Sequence, residues 1–143
     1  MDKLTREVHE HGKILESIVF FENFLKAITS DDAAHYTERL HQFSDEYIVQ
    51  HFDFEEREIF PFIIQKGILE EREFIEELQE DHKRILASLA DFKEIISLYD
   101  PQPPTKEQVK KIIKASEAVI SQILIHARKE DKKLFPMLKK YKV

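Results

Sequence analysis

Two stretches of the chain repeat one frame of residues, and this repeat restricts the folds open to it. HFDFEEREIFP begins at His51 and HARKEDKKLFP begins at His126; in both, a glutamate follows four positions after the histidine and Phe-Pro closes the frame. Residues four apart on an α-helix lie about 40° apart around the axis and one turn along it. If both stretches are helical, the side chains of His51 and Glu55 can reach one common point, and so can those of His126 and Glu130.

The composition favours helices for the whole chain. Its 143 residues include only two glycines and five prolines, while 35% are charged and 42% are hydrophobic. A chain so poor in turn-forming residues is typical of long helices rather than of many short strands. The length fits one compact domain over residues 1–143, so we expect a single all-α domain.

Apolar residues recur at helical spacing in four segments, which cover approximately residues 3–29, 30–65, 70–99 and 106–136. The stripe of the first segment passes through Leu4 and Val8, and that of the second through Phe43 and Tyr47. We therefore predict four amphipathic helices. Short connections between long helices favour an antiparallel, up-down-up-down four-helix bundle.

Start and stop signals separate these segments. The run Ser30 to Asp32 predicts the N-cap of the second helix, and Gly67 predicts its end. Pro61 is expected to kink or end its regular part. DPQPP at 100–104 must break the third helix, and Thr105 with Gln108 resembles a capping box for the fourth.

A second repeated phrase lies on the other two helices. EHGKIL begins at Glu10 and DHKRIL begins at Asp81, so that His11 and His82 occupy equivalent positions. The chain thus contains an internal repeat, in which each half is a predicted pair of helices with one copy of both phrases. If the two halves fold antiparallel, six inward side chains converge as predicted metal ligands: His11, His51, Glu55, His82, His126 and Glu130.

Buried carboxylates without a partner are strongly destabilising, and two cations would satisfy both of them. In this interpretation each glutamate bridges the two metals and the imidazoles bind at the outer positions. Iron is the first choice for such mixed nitrogen and oxygen ligation, and manganese and zinc remain chemically possible. The alternative is a set of buried His-Glu hydrogen-bonded pairs without any metal.

Charge and composition exclude several other classes of function. A net charge of −6 and a pI near 5.7 argue against a nucleic-acid groove or an anionic membrane surface as partner. The absence of cysteine removes disulfides and thiolate ligands. The polar N-terminal residues lack the apolar run of a signal peptide, so we expect a soluble, cytoplasmic protein.

Together the two repeated phrases resemble the hemerythrin family, in particular the bacterial or archaeal hemerythrin-like proteins called HHE cation-binding domains. The resemblance spans essentially the whole chain. It implies a four-helix bundle that holds a non-haem di-iron centre and meets O₂ or related small oxidants such as NO or peroxide.

The sequence departs from the oxygen carriers of that family at two places. The carriers have two histidines one turn apart on the third helix, whereas Leu78 and Leu86 flank His82 here. Solvent or Tyr47 would fill the missing position, although Tyr47 as core filler is the simpler interpretation. The carriers also use an aspartate five residues after the fourth-helix histidine, which would be Asp131; internal symmetry and helix geometry favour Glu130.

Binding or sensing of a small ligand is favoured over turnover, because the sequence shows no further inward acid, base or substrate pocket. Three alternatives stay open: an enzyme that reduces O₂, peroxide or NO, an iron storage or donor protein for stress repair, and a purely structural bundle. Six further side chains are placed outside the ligand set. Glu7, Glu58 and Gln122 are candidates to orient a ligand, or surface residues, and His9, His35 and His41 are predicted to face away from the site, with the oligomeric state left open.

Overall fold

The structure is a computed structural model that describes residues 2–98 and 103–143. These residues form four long helices and no strand, which confirms the predicted all-α bundle. Helix α1 covers Lys3–Leu25, α2 covers residues 30–66, α3 covers Leu69–Ser97 and α4 covers residues 106–140. The segment 100–104 that is predicted to break the third helix, and the predicted end of that helix at Tyr99, lie largely outside the described residues. None of the helices described is both long and apolar enough to cross a bilayer.

Helices α2 and α4 are not regular throughout. In α2, the α-helical segments Ser30–Phe43, Val49–Phe54 and Phe60–Lys66 are joined by π-helical turns at Ser44–Ile48 and Glu55–Ile59. In α4, the segments Lys106–Lys129 and Phe135–Lys140 are joined by a π-helical turn at Glu130–Leu134. Single π turns interrupt α-helices frequently at functional sites. Two of these three turns begin at the repeated glutamates.

The π turns explain how helices continue through Pro61 and Pro136. A proline in a regular helix collides with the carbonyl four residues earlier and leaves that carbonyl without a donor. Each proline lies directly after a π turn, at the start of the next α-helical segment. Pro61 therefore interrupts the regular helix, as predicted, but α2 continues to Lys66 instead of ending there.

The helix ends agree only in part with their sequence signals. The predicted capping box of α4 is present: Gln108 N–H donates to Thr105 Oγ1 at 3.2 Å, and Thr105 N–H donates to Gln108 Oε1 at 2.8 Å. The predicted N-cap at residues 30–32 is wrong by one position, because Thr29 is the N-cap of α2. Asp31 and Asp32 lie in the first turn, where their charge is favourable to the helix dipole.

Gly67 ends α2 as predicted, and the reason is a close approach of the backbone. Its N–H donates to the Ile63 carbonyl at 2.7 Å, and a Cβ atom at this position would lie only 2.6 Å from the same oxygen. Any larger residue would therefore have to move the chain at the turn between α2 and α3.

The core has two apolar clusters with a polar layer between them. The larger cluster contains Ile18, Tyr36 and Leu40, and the smaller contains Phe60 and Ile63; all five are at most 1% exposed. Burial of each such side chain contributes about 1.5–3 kcal/mol. The buried histidines and glutamates lie where the two clusters meet, so the apolar packing at both ends holds the polar layer in place.

Candidate metal centre

The four helices bring all six sequence-predicted ligands into the interior. Each is at most 3% exposed: His11, His51, Glu55, His82, His126 and Glu130. Helices α1 and α3 contribute one histidine each, and α2 and α4 contribute one histidine and one glutamate each. The inward direction of both repeated phrases is therefore as predicted.

One group of donors lies between α2, α3 and α4. His82 Nε2 is 3.1 Å from Glu55 Oε1 and 3.1 Å from His126 Nε2, and His126 Nε2 is 3.6 Å from Glu130 Oε1. One donor atom from each of these four residues lies within 4.8 Å of all the others. This spacing suits a single cation.

A second group overlaps the first and lies toward α1. It contains Glu7, His51, Glu55 and Glu130, again with one donor atom from each within 4.8 Å of the others. His51 Nε2 is 3.7 Å from Glu7 Oε1 and 3.5 Å from Glu55 Oε2. Glu55 and Glu130 belong to both groups, which is the arrangement that two bridging carboxylates would have.

His11 lies beside these groups without joining either. Its Nε2 is 3.7 Å from Asp131 Oδ1, and its ring packs edge-on against Phe135 at 5.1 Å between centroids. Burial lowers the pKa of His11, and the neighbouring His51 and His126 lower it further. Neither ring nitrogen has a hydrogen-bond partner, so either one can be the unprotonated nitrogen that binds a cation.

Glu7 is the member of the centre that sequence reasoning did not place among the ligands. It is 0% exposed, whereas its neighbour Val8, assigned to the apolar stripe, is 47% exposed. The buried face of α1 passes through Glu7, His11, Ile14 and Ile18. The signal that could have found Glu7 was its position one turn before His11 on that face.

An outer set of acids fixes the orientation of three imidazoles. In each case a carboxylate oxygen accepts from Nδ1: His51 to Glu10 at 3.0 Å, His82 to Glu56 at 2.9 Å and His126 to Asp81 at 3.0 Å. An ionised carboxylate only accepts hydrogen bonds, so Nδ1 carries the hydrogen and Nε2 of the neutral ring presents a lone pair. All three Nε2 atoms therefore face the interior as acceptors. The sequence signal was present in the acid before His11, the acid before His82 and the acid after Glu55, but its meaning depends on which helices are neighbours.

The lone pairs on the Nε2 atoms of His82 and His126 indicate that the first group binds a cation. His82 Nε2 and His126 Nε2 are 3.1 Å apart, and two unprotonated nitrogens at that distance repel each other. Two ligands at about 2.1 Å from one metal and at right angles would lie about 3 Å apart. The donor set thus fits a metal ion, and without one these groups are poorly satisfied.

The carboxylates lead to the same conclusion. Burial raises the pKa of Glu55 well above its usual value, and the nearby Glu7 raises it further. Burial likewise raises the pKa of Glu130, with Glu55 adding to the effect. Oxygen atoms of all three glutamates have no hydrogen-bond partner. A cation would remove the repulsion between them and provide the missing interaction.

The imidazole charges respond to the same crowding. Burial, followed by the neighbouring His126 and His51, lowers the pKa of His82 to about 2. Burial alone would lower the pKa of His51, but its hydrogen bond to Glu10 and the charge of Glu7 raise it overall. A low pKa keeps an imidazole neutral, which is the form that binds metals.

Asp81 is the most firmly held of the outer acids. Burial would raise its pKa, but the hydrogen bonds from His126, Arg84 and Lys129 keep it well below its usual value. Arg84 Nη2 lies 2.7 Å from Asp81 Oδ1, and Lys129 Nζ lies 3.0 Å from Asp81 Oδ2. His126 is therefore oriented by an acid that is itself fixed by two cations.

Several expected neighbours of the site lie elsewhere. Tyr47 is 40% exposed and packs beside Phe43 at the surface, so its predicted inward direction is wrong. Glu58 is exposed and pairs with Lys3 at 3.2 Å. Gln122 is half-buried, and its side-chain oxygen has no partner.

The fourth-helix carboxylate and the remaining histidines follow the expectations from the sequence. Glu130 is 2% exposed and belongs to both donor groups, whereas the Asp131 side chain is 50% exposed and near only His11. His9, His35 and His41 are all exposed, as predicted.

A four-helix bundle whose buried imidazoles and carboxylates converge on one interior layer defines a cation-binding helical protein. The sequence profile of the Hemerythrin HHE cation binding domain matches residues 2–138. The chain therefore belongs to the hemerythrin HHE cation-binding domain family, and it binds metal ions through this domain. Comparisons with curated proteins and with solved structures give no significant match.

Proposed function

We propose that the protein holds a non-haem di-iron centre and uses it to bind or sense O₂ or a related small oxidant such as NO or peroxide. Glu55 and Glu130 would bridge the two irons in this proposal. The terminal ligands would be the four buried histidines: His11, His51, His82 and His126. Binding is favoured over turnover, because the unpartnered acids and bases found at the centre among the described residues, Glu7 and His11 included, are themselves candidate ligands.

The observation that carries this proposal is the pair of donor groups that share two carboxylates. A single cation would need only one of the groups, and it would leave the remaining imidazole and carboxylate unsatisfied. Two cations offset both shared glutamates and give the inward Nε2 atoms of His51, His82 and His126 a partner. Mixed imidazole and carboxylate ligation supports iron, and manganese is the nearest alternative.

When bound, iron would supply reversible electron transfer and a site for a small diatomic or peroxide ligand. The chain contributes the surroundings. Glu10, Glu56 and Asp81 orient the imidazoles through Nδ1, which raises their basicity. Phe52 stacks on His82 at 3.8 Å between ring centroids, and Phe60 lies on the same imidazole at 5.4 Å. These apolar rings limit access of water to the centre.

The proposal is tested by metal analysis of freshly purified protein, together with its optical spectrum before and after O₂. We expect two irons per chain and an oxo-bridged charge-transfer band in the wild type. His126→Ala should lose at least one iron, because it removes a donor of the first group. His41→Ala provides the matched control: this histidine is exposed and pairs only with Asp45, so both irons should remain. One structural zinc per chain, or an unchanged iron content in His126→Ala, would refute the proposal.

An open groove between α2 and α3 favours a second function, in which the protein stores or donates iron. The groove has a volume of about 710 Å³ and reaches His82. Its walls carry the acids Asp53, Glu56, Glu76 and Glu80, with Lys83 as the one basic residue among those lining it. A negatively charged entrance concentrates cations. Loss of iron to an external chelator should then slow in Glu76→Gln/Glu80→Gln, and an unchanged rate would speak against this route.

A further inference from the structure

The two halves of the chain differ at one position beside the proposed metals. Glu7 lies four residues before His11, and Leu78 lies four residues before His82. Both side chains are 0% exposed. The internal repeat therefore places a carboxylate in one half where the other half has a leucine, at the same distance along the helix from an inward histidine.

Glu7 makes no hydrogen bond among the described residues that would explain its burial. Neither of its carboxylate oxygens has a hydrogen-bond partner. The nearest basic residue on its own helix, Arg6, pairs with Glu10 at 2.7 Å and stacks on Phe54 at 4.0 Å. A buried carboxylate without a partner costs several kcal/mol. Such a residue is expected only where something absent from the protein chain itself completes its environment.

The surroundings of Glu7 are those of a metal ligand. Its Oε1 lies 3.7 Å from His51 Nε2, a nitrogen that presents its lone pair because Nδ1 donates to Glu10. Its carboxylate also lies within 4.8 Å of donor atoms of Glu55 and Glu130. It does not join the group that contains His82 and His126.

We propose that Glu7 is a protein ligand of one metal only, the one bound by His51, and that the two metal positions are consequently unequal. This inference rests on the dinuclear centre proposed above. The position near α1 would have three carboxylates and one imidazole, with His11 adjacent. The position near α3 would have two imidazoles and the two shared carboxylates, with Leu78 in place of a ligand.

The difference predicts where a small ligand binds. Glu7 and His11 together would give the metal near α1 one protein ligand more than the metal of His82 and His126, so O₂ or NO should bind to the latter metal. The groove between α2 and α3 ends at that same histidine, and its apolar walls include Phe52 and Leu86. The richer set of carboxylates near α1 should also favour the harder cation, such as Mn²⁺ or ferric iron.

The test uses full-length protein stripped of metal and titrated with Co²⁺, followed by calorimetry and by visible absorption. Glu7→Leu copies the residue of the other half, and Glu7→Gln keeps the size of the side chain. Wild-type protein should bind two Co²⁺ ions. Both variants should keep the first binding step within about threefold and weaken the second at least tenfold, as expected for loss of one ligand. Glu16→Gln, an exposed glutamate on the same helix, is the control and should bind as the wild type does.

The outcomes separate this inference from the dinuclear centre. If both variants bound two Co²⁺ ions with the same affinities as the wild type, the role of Glu7 would be overturned while the dinuclear centre would remain supported. Loss of both ions would show that Glu7 serves both metals, which also contradicts the inference. Wild-type protein that binds fewer than two ions would overturn the proposed function itself. If Glu7→Leu fails to fold, as judged by circular dichroism, Glu7→Gln alone decides.

Discussion

Replacing Glu130 by glutamine should stabilise the metal-free protein at neutral pH, although it removes a proposed ligand. In the folded, metal-free chain the pKa of Glu130 is raised, first by burial and then by Glu55. The folded state therefore keeps a proton that the unfolded chain releases above its ordinary value of 4.5. Glutamine has the same shape and no charge to bury.

The sign and size of the difference in the free energy of unfolding between variant and wild type follow from proton linkage. Between pH 4.5 and its raised pKa, Glu130 makes the folded state bind more protons than the unfolded state. Its contribution to the free energy of unfolding is complete at low pH and falls by about 1.4 kcal/mol per pH unit as pH rises. Within that pH window the variant should gain about 1.4 kcal/mol per pH unit relative to wild type. His82, whose lowered pKa gives the opposite slope, is present in both proteins and cancels.

The assay is urea unfolding in the presence of a chelator, followed by far-ultraviolet circular dichroism between pH 5 and pH 8. The difference between Glu130→Gln and wild type should grow with pH. Adding metal should reverse the order at the acidic end of this range, because an ion at 100 times its dissociation constant stabilises the wild type by about 2.7 kcal/mol, about twice the advantage that the variant gains over one pH unit. Glu58→Gln, an exposed glutamate, serves as control. A pH-independent difference, or a variant less stable than wild type in chelator, would refute the view that these carboxylates repel one another.

Two further substitutions test the surroundings of the centre. Asp81→Asn should weaken metal binding about 10–100-fold, because His126 loses its ionised acceptor. Competition with a chelator measures this affinity, and Asp91→Asn, at an exposed aspartate on the same helix, should leave it unchanged. An unchanged affinity in Asp81→Asn would mean that this hydrogen bond does not tune the metal. Asp131→Asn should retain both metal equivalents in elemental analysis, whereas Glu130→Gln should not; the reverse order would assign the fourth-helix carboxylate to Asp131.

The helices and most of the site could be predicted because both depend on local spacing. Helical periodicity and a His-Glu pair one turn apart are properties of a few consecutive residues. Four such segments with matching motifs leave little choice but a bundle around a shared site. The His51-Glu55 and His126-Glu130 pairs are therefore buried as the sequence indicated.

What the sequence did not reveal depends on small rotations of a helix and on neighbours from other helices. A stripe drawn through Val8 differs from one drawn through Glu7 by a single residue, and periodicity favours the apolar choice. Tyr47 lies within the π turn Ser44–Ile48, whose wider winding shifts the direction of the side chains in and after it. A regular helix of 3.6 residues per turn therefore misplaces it.

The polar layer between the two apolar clusters affects the stability of the protein in a cell. With its cations in place, the layer joins both ends of the bundle into one cooperative unit. Without the cations, oxygen atoms of three buried glutamates have no partner, so the layer would no longer link the two apolar clusters and each end would depend on its own packing. The supply of iron would then determine the stability of the bundle as well as its reactivity. Cellular proteases would digest the metal-free protein before the metal-bound protein.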